Sequence, residues 1–137
     1  MLVLESFAGQ TDNNFELIIA DDGSTNVTAE VIRYFQSRGG LDIKHVWHCD
    51  KGFRAARIRN RAIETSSGDY LIFLNNDTVQ EKDWISNLIK TINSDDKIAA
   101  VQPKILNYYD RNVFDYAGGS GGHMDIYCFP FARGRIF

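Results

Sequence analysis

Short apolar runs alternate with longer amphipathic segments along most of this chain. The runs at 15–20 and 70–74 are rich in Ile, Leu and aromatic residues and are bounded by turn residues, which predicts strands buried on both faces. Residues 43–48 alternate apolar and polar positions, which predicts a half-covered strand. A further short strand is predicted at 98–101, where Pro103 follows.

Amphipathic helices separate these strands. Apolar residues at helical spacing predict a helix that begins after Ser24 or Thr25 and ends at Gly39-Gly40. The other predicted helices cover 53–65 and 81–93, with a short one over 2–9.

Strands that alternate with helices in this way form a parallel sheet with right-handed crossovers. We therefore predict an α/β fold with three layers, in which an open, mostly parallel sheet has helices on both faces. A single domain is expected over 1–137, with an alternating core at 1–105 and an irregular tail at 106–137. The tail contains the glycine-rich run 118–122, which we interpret as a mobile loop that closes over a ligand.

Composition excludes several classes of function. The chain has 137 residues, enough for one domain with a core, and its formal net charge is −3. This charge provides no global basic field for nucleic acid. No apolar stretch approaches the roughly 18 residues that span a bilayer. Cys49 and Cys128 lack zinc-ligand spacing and fit a reducing compartment, so we expect a location in the cytoplasm or at the cytoplasmic face of a membrane.

Polar turns follow the two strongest strand predictions. Asp21-Asp22-Gly23-Ser24 comes after the first strand, and Asn75-Asn76-Asp77 comes after the second. Ligands of open α/β sheets lie beyond the carboxyl ends of the strands. The two turns therefore predict one polar site, and a metal-bound nucleotide fits its acidic character. The alternatives are a capped helix start at the first turn and an Asx-turn at the second.

Asp77 is the sharpest metal candidate, because it follows a predicted buried strand and has oxygen-bearing neighbours. Hard cations such as Mg²⁺ and Mn²⁺ take oxygen ligands, and Mg²⁺ commonly combines one or two carboxylates with substrate phosphates. A single carboxylate is a minimal contribution, so a diphosphate must supply most of the ligands.

Arg59 and Lys51 are the basic residues expected near this site. A helical-wheel count puts Arg59 in the apolar arc of its helix, so we expect it to point toward the sheet and to need a carboxylate or a phosphate. The alternative is a structural ion pair with an Asp at a strand end. Lys51 lies in the turn before the same helix, as a phosphate contact or as an ordinary exposed residue. His45 and His48 lack ligand spacing, and we expect them to pack in the core or at the sheet edge.

Several segments in combination match a known family. They are 10–25, 59–63 followed by 67–74, and 101–104 with 117–119. Together they resemble inverting family 2 glycosyltransferases with the GT-A fold, over nearly all of the chain. Asn75 stands where that family usually has the first aspartate of a DxD motif.

The resemblance implies transfer of a sugar, with inversion, from a nucleotide-diphosphate sugar to a hydroxyl of a glycan or lipid-linked acceptor in polysaccharide biosynthesis. It assigns Mg²⁺ or Mn²⁺ to Asp77 and nucleotide contacts to Asp21, Asp22, Gly23, Ser24, Lys51, Arg59 and Asn76. The family's first central strand and its catalytic base have no counterpart in residues 1–137. The chain is therefore expected to be the nucleotide-binding half, cut at both ends, with its catalytic residue unassigned.

Two other functions are compatible with the sequence: a nucleotidyltransferase with the same sheet topology, and a non-catalytic α/β module that binds a partner. The missing strand leaves a gap in the sheet, for which we expect one of three outcomes. The segments 15–20 and 70–74 pair directly, another segment fills the gap, or a second chain does, as in a homodimer through the incomplete sheet.

Overall fold

The computed structural model describes residues 2–116 and 119–133. Ala117 and Gly118, which belong to the predicted glycine-rich region, lie outside the described residues. The elements in chain order are α1 (Leu2–Ala8), β1 (Glu16–Asp21), α2 (Asn26–Arg38), β2 (Asp42–Trp47), α3 (Ala55–Glu64), α4 (Trp84–Ile92), β3 (Gly122–Met124) and β4 (Pro130–Ala132).

The chain divides into two compact units, Met1–Lys82 and Asp83–Phe137. The first unit carries the parallel pair β1–β2 and the helices α1, α2 and α3. The second carries α4 and the antiparallel hairpin β3–β4. The hairpin lies within the residues 106–137 for which the sequence predicts an irregular tail.

The first unit is built on a parallel strand pair. β1 and β2 pair in register from Glu16↔Asp42 to Asp21↔Trp47, and α2 provides the crossover that parallel strands need. A core of Leu4, Ile32, Phe35 and Ile43 packs α1 and α2 onto this pair. The predicted parallel order of these two strands is confirmed.

Helix α2 ends where the sequence predicts. Its C-cap, Gly39, has φ 72°, and Gly40 follows with φ 84°. Residues with a side chain adopt this left-handed region only at a cost, so the Gly-Gly pair both stops the helix and turns the chain toward β2.

The predicted strand at 70–74 is wrong for this structure. Leu71–Leu74 form no strand, and Leu71, Ile72 and Phe73 are between 43% and 61% exposed. Among the described residues, no backbone group of Leu71–Leu74 is hydrogen-bonded to another backbone group. The run is apolar, but a strand also needs a partner, and within the described residues β1 pairs with β2 alone.

The same comparison decides two of the three outcomes expected for the gap. β1 does not pair with 70–74, and no other described segment lies between them as a strand. Closure by a second chain stays a prediction.

The predicted strand at 98–101 is also wrong: the Ile98 N–H donates to the Asp95 carbonyl at 2.9 Å in a turn.

Glu16 holds the chain just after α3 beside the start of β1. Its Oε1 accepts hydrogen bonds from the Ser67 N–H, the Ser67 hydroxyl and the Gly68 N–H at 2.5, 2.8 and 3.2 Å. Its Oε2 accepts one from Lys44 at 2.5 Å. These bonds, with the one from Lys44 first, lower the pKa of Glu16 from 4.5 to about 2. One carboxylate therefore connects β1, β2 and the segment after α3.

We predict that Glu16→Gln removes an acid-sensitive part of the stability. Because the pKa of Glu16 is lowered on folding, its contribution is complete above about pH 4.5 and is lost as the pH falls through about 2. Urea unfolding from pH 7 to pH 2 should show a stability difference between wild type and Glu16→Gln that shrinks across this window. Glu30→Gln, at an exposed position of α2 without an ion pair among the described residues, is the control. A difference that stays constant with pH contradicts this account.

Candidate nucleotide-binding site

The first predicted turn forms a closed hydrogen-bonded unit at the carboxyl end of β1. Asp21 is buried, and its Oδ1 accepts from the Ser24 N–H at 2.8 Å. Its Oδ2 accepts from the Ser24 hydroxyl at 2.6 Å and contacts His45 Nε2 at 2.9 Å. Burial raises the pKa of Asp21, but these hydrogen bonds outweigh burial and leave it lowered. Asp21 is thus occupied in holding the turn together.

Asp22 is the more accessible carboxylate of the pair. Its side chain is 22% exposed, against 4% for Asp21. Its Oδ2 accepts from the Arg54 N–H at 2.6 Å, and its Oδ1 makes a short contact with His48 Nε2. The bond from the Arg54 amide, followed by the one from His48, lowers the pKa of Asp22. Each oxygen keeps acceptor capacity, so this fixed, ionised group can still bind a donor from a ligand.

Gly23 allows the following loop to approach this turn. Its φ is 90°, and a Cβ built on it would lie 2.6 Å from the backbone N and Cα of Asp50. No side chain fits there without moving the backbone. The Asp-Asp-Gly-Ser sequence therefore sets both the polar groups and the space that the loop needs.

The loop from His48 to Arg54 is attached to Asp22 at both ends. Its interior is shaped by the Gly52 N–H, which donates to Asp50 Oδ1 at 2.9 Å. Lys51 is exposed and has no ion pair within residues 2–116 and 119–133. Phe53, next to Arg54, is 95% exposed. The loop that binds the Asp22 carboxylate thus also carries the exposed Lys51 ammonium and the exposed Phe53 ring.

Arg59 does not lie where the helical wheel places it. Ile58 is the buried residue of α3, and Arg59 is exposed. Its long side chain donates from Nη2 to Asn75 Oδ1 at 3.1 Å. No carboxylate forms an ion pair with Arg59 in the described part of the chain, so the alternative interpretation, a structural ion pair with an Asp at a strand end, is not observed there. Its charge remains available to an anion.

The second predicted turn is more open. The Thr78 hydroxyl donates to the Asn75 carbonyl at 3.0 Å, while Asn76 and Asp77 are exposed. The described residues contain no group of three or more His, Cys, Asp or Glu side chains that could hold a metal ion. The Asn75 side-chain oxygen accepts from Arg59, and Asp77 provides the carboxylate of this turn that can contact a cation. This donor set fits only a hard cation that takes most of its ligands from phosphates and water.

The predicted residues therefore fall into two groups connected by α3. Asp21, Asp22, Gly23, Ser24 and the loop with Lys51 form one group at the ends of β1 and β2. Arg59 lies further along α3 and contacts Asn75, after which Asn76 and Asp77 follow.

Two histidines were missed as polar partners of the acidic turn. Sequence reasoning placed His45 and His48 in the core or at the sheet edge, whereas each contacts an aspartate. The register between the two strands carries the missing information. Ile19 of β1 pairs with His45 of β2, and Asp21 lies two residues after Ile19, on the same face of β1. That register could not be read from either strand alone.

A family model described as "Glycosyl transferase family 2" matches residues 2–126. The chain belongs to glycosyltransferase family 2. Its α/β class and GT-A fold, predicted from the sequence, are those of this family. No solved structure matches the chain significantly.

The curated relatives of the chain include glycan synthases and a glycosyltransferase. A chondroitin synthase of Escherichia coli is 29% identical over 107 residues, which cover 78% of this chain and 15% of the relative. A hyaluronan synthase of Pasteurella multocida is 28% identical over 106 residues, 77% of this chain and 10% of the relative. The glycosyltransferase GlyA of Streptococcus pneumoniae is 32% identical over 111 residues, 80% of this chain and 15% of that protein. The chain therefore spans a small part of the length of these family 2 relatives.

Within residues 2–116 and 119–133, the family 2 chain has no helix of the length and apolar character needed to cross a membrane.

Proposed function

We propose that this chain is the donor-binding part of an inverting glycosyltransferase. In this proposal it holds a nucleotide-diphosphate sugar whose sugar is transferred to an acceptor hydroxyl. The observation that carries the proposal is the Asp22 carboxylate, fixed by His48 and the Arg54 amide at the carboxyl end of a parallel strand pair. Family 2 membership supports sugar transfer as the reaction.

Asp22 is the proposed contact to the nucleoside, because an ionised carboxylate accepts hydrogen bonds from base N–H groups and ribose hydroxyls. Asp21, Gly23 and Ser24 maintain the turn that presents it. Asp21 then acts on the nucleotide through this turn, since its own side chain is only 4% exposed.

Lys51 and Arg59 are the proposed cationic contacts to the diphosphate, with Asn76 as a polar neighbour. Neither cation has an ion pair among the described residues, so a phosphate can bind without breaking one. Arginine suits phosphate because its guanidinium presents several donors in one plane.

Asp77 is the proposed protein ligand of Mg²⁺ or Mn²⁺. When bound, the cation supplies positive charge that stabilises the leaving nucleoside diphosphate. Arg59, held on Asn75 two residues before Asp77, adds a second positive charge at the same end of the site. None of the proposed site residues is assigned as the base that deprotonates the acceptor.

The relatives named as chondroitin and hyaluronan synthases support a glycan acceptor and a role in polysaccharide biosynthesis. A lipid-linked acceptor is the alternative that the same chemistry allows. The lone thiols of Cys49 and Cys128 support a cytoplasmic location or one at the cytoplasmic face of a membrane.

We predict that the chain binds at least one of UDP, GDP and dTDP in the presence of Mn²⁺. Asp22→Ala should weaken binding by at least about tenfold, because a hydrogen bond to a charged group contributes about 1.5–3 kcal/mol. Asp77→Ala should weaken it in Mn²⁺ and have little effect in EDTA. Calorimetric titration measures both effects, with Asp96→Ala, an exposed aspartate of the second unit, as the control. No binding to any of the three nucleotides refutes the proposal.

The open side of β1 supports a homodimer through the incomplete sheet. Backbone groups of Leu71–Leu74 are unpaired within residues 2–116 and 119–133, and the side chains of Leu71, Ile72 and Phe73 are exposed. Such an edge is a template for pairing with another chain.

We predict that sedimentation equilibrium finds a concentration-dependent dimer, and that Ile72→Pro shifts it toward monomer by removing an N–H from the pairing edge. Tyr109→Ala, at an exposed position of the second unit, is the control. A wild-type monomer at all concentrations, with ordinary stability, overturns the dimer.

A further inference from the structure

Phe53 is a large apolar side chain held almost entirely in solvent. It is 95% exposed, and it lies in the His48–Arg54 loop. No ring of the described residues stacks on it. Single exposed apolar side chains are common and need no explanation by themselves. Phe53 is informative because it lies in the loop that is attached to Asp22.

The loop holds Phe53 next to the accessible carboxylate. The Arg54 N–H donates to Asp22 Oδ2 at 2.6 Å, and the Phe53 Cα is one peptide bond away. Standard peptide geometry then puts that Cα within about 5 Å of the oxygen. A planar group that donates a hydrogen bond to Asp22 is therefore within reach of the ring, since aromatic pairs interact at centroid separations of about 4.5–7 Å.

The attachment of the loop is made by the protein itself. His48 at one end and the Arg54 amide at the other both bind Asp22, and the Gly23–Asp50 contact packs the loop against the turn. The backbone that carries the ring thus has a restricted position before any ligand arrives, which lowers the entropic cost of ordering the loop on binding.

We propose that Phe53 is the stacking surface for the nucleobase of the donor, with Asp22 binding an edge or the attached ribose of the same nucleoside. The ring covers one face of the base while Lys51, two residues earlier, contacts the phosphate end. Stacking on an aromatic side chain tolerates any base, so Phe53 contributes affinity and Asp22 contributes selectivity. This inference rests on the proposed nucleotide binding.

The test is calorimetric titration with whichever of UDP, GDP and dTDP binds the wild type most tightly. Phe53→Ala should raise Kd at least about fivefold, the lower end of what losing one base–aromatic stack costs. Phe53→Tyr keeps a ring and should stay within about twofold of wild type. Tyr109→Ala removes an equally exposed ring from the second unit and should leave Kd unchanged.

Two further measurements separate stacking from a disturbed loop. Trypsin cleavage after Lys51 should proceed at the same rate in wild type and Phe53→Ala, because the loop is held by Asp22 and not by the ring. Phe53→Trp should gain a fluorescence signal that nucleotide quenches, beyond the change given by Trp47 and Trp84 in the wild type.

The outcomes distinguish this inference from the function on which it rests. A wild type that binds no nucleotide overturns both. A wild type that binds, with unchanged affinity in Phe53→Ala and no quenching in Phe53→Trp, overturns stacking alone. Weaker binding by Phe53→Ala together with faster cleavage after Lys51 also overturns it, because the loss then comes from the loop.

Discussion

The Asp22 carboxylate is the interaction on which the rest of the candidate site depends. It accepts from the backbone N–H of Arg54, the N-cap residue of α3, and it contacts His48 just after β2. One side chain at the end of β1 thereby sets where β2 ends and where α3 begins. A negative charge at a helix N-terminus is also favoured by the helix dipole.

The position of α3 carries this constraint to the other half of the site. Arg59 lies five residues after Arg54 on the same helix and donates to Asn75. Glu16 holds the chain at Ser67 and Gly68, and Arg59 holds it at Asn75, while Leu71–Leu74 between them have no backbone partner among the described residues. The end of the candidate site with Asp22 is therefore fixed by a hydrogen-bonded network, whereas the end with Asp77 follows Leu71–Leu74, which belong to no strand.

The sequence was sufficient for elements whose evidence is local. The alternation of apolar and polar residues predicted β2, and helical spacing predicted α2. The Gly39-Gly40 pair predicted where α2 ends, and the residues Asp21-Asp22-Gly23-Ser24 predicted the polar turn after β1. It failed where the answer depends on a partner. The run at 70–74 reports apolarity but not pairing, and the contacts of His45 and His48 depend on the register between β1 and β2. Arg59 was misplaced because a wheel treats a residue as a point, whereas a long side chain can extend away from an apolar arc.

The most direct test of the account is an amide NMR titration of the chain with UDP, GDP and dTDP in the presence of Mg²⁺. The account predicts that the largest shift changes fall on Asp22, Gly23, Ser24 and the amides of residues 48–54, with smaller ones near Arg59 and Asp77. Shift changes confined to the second unit, or none with any of the three nucleotides, would contradict it.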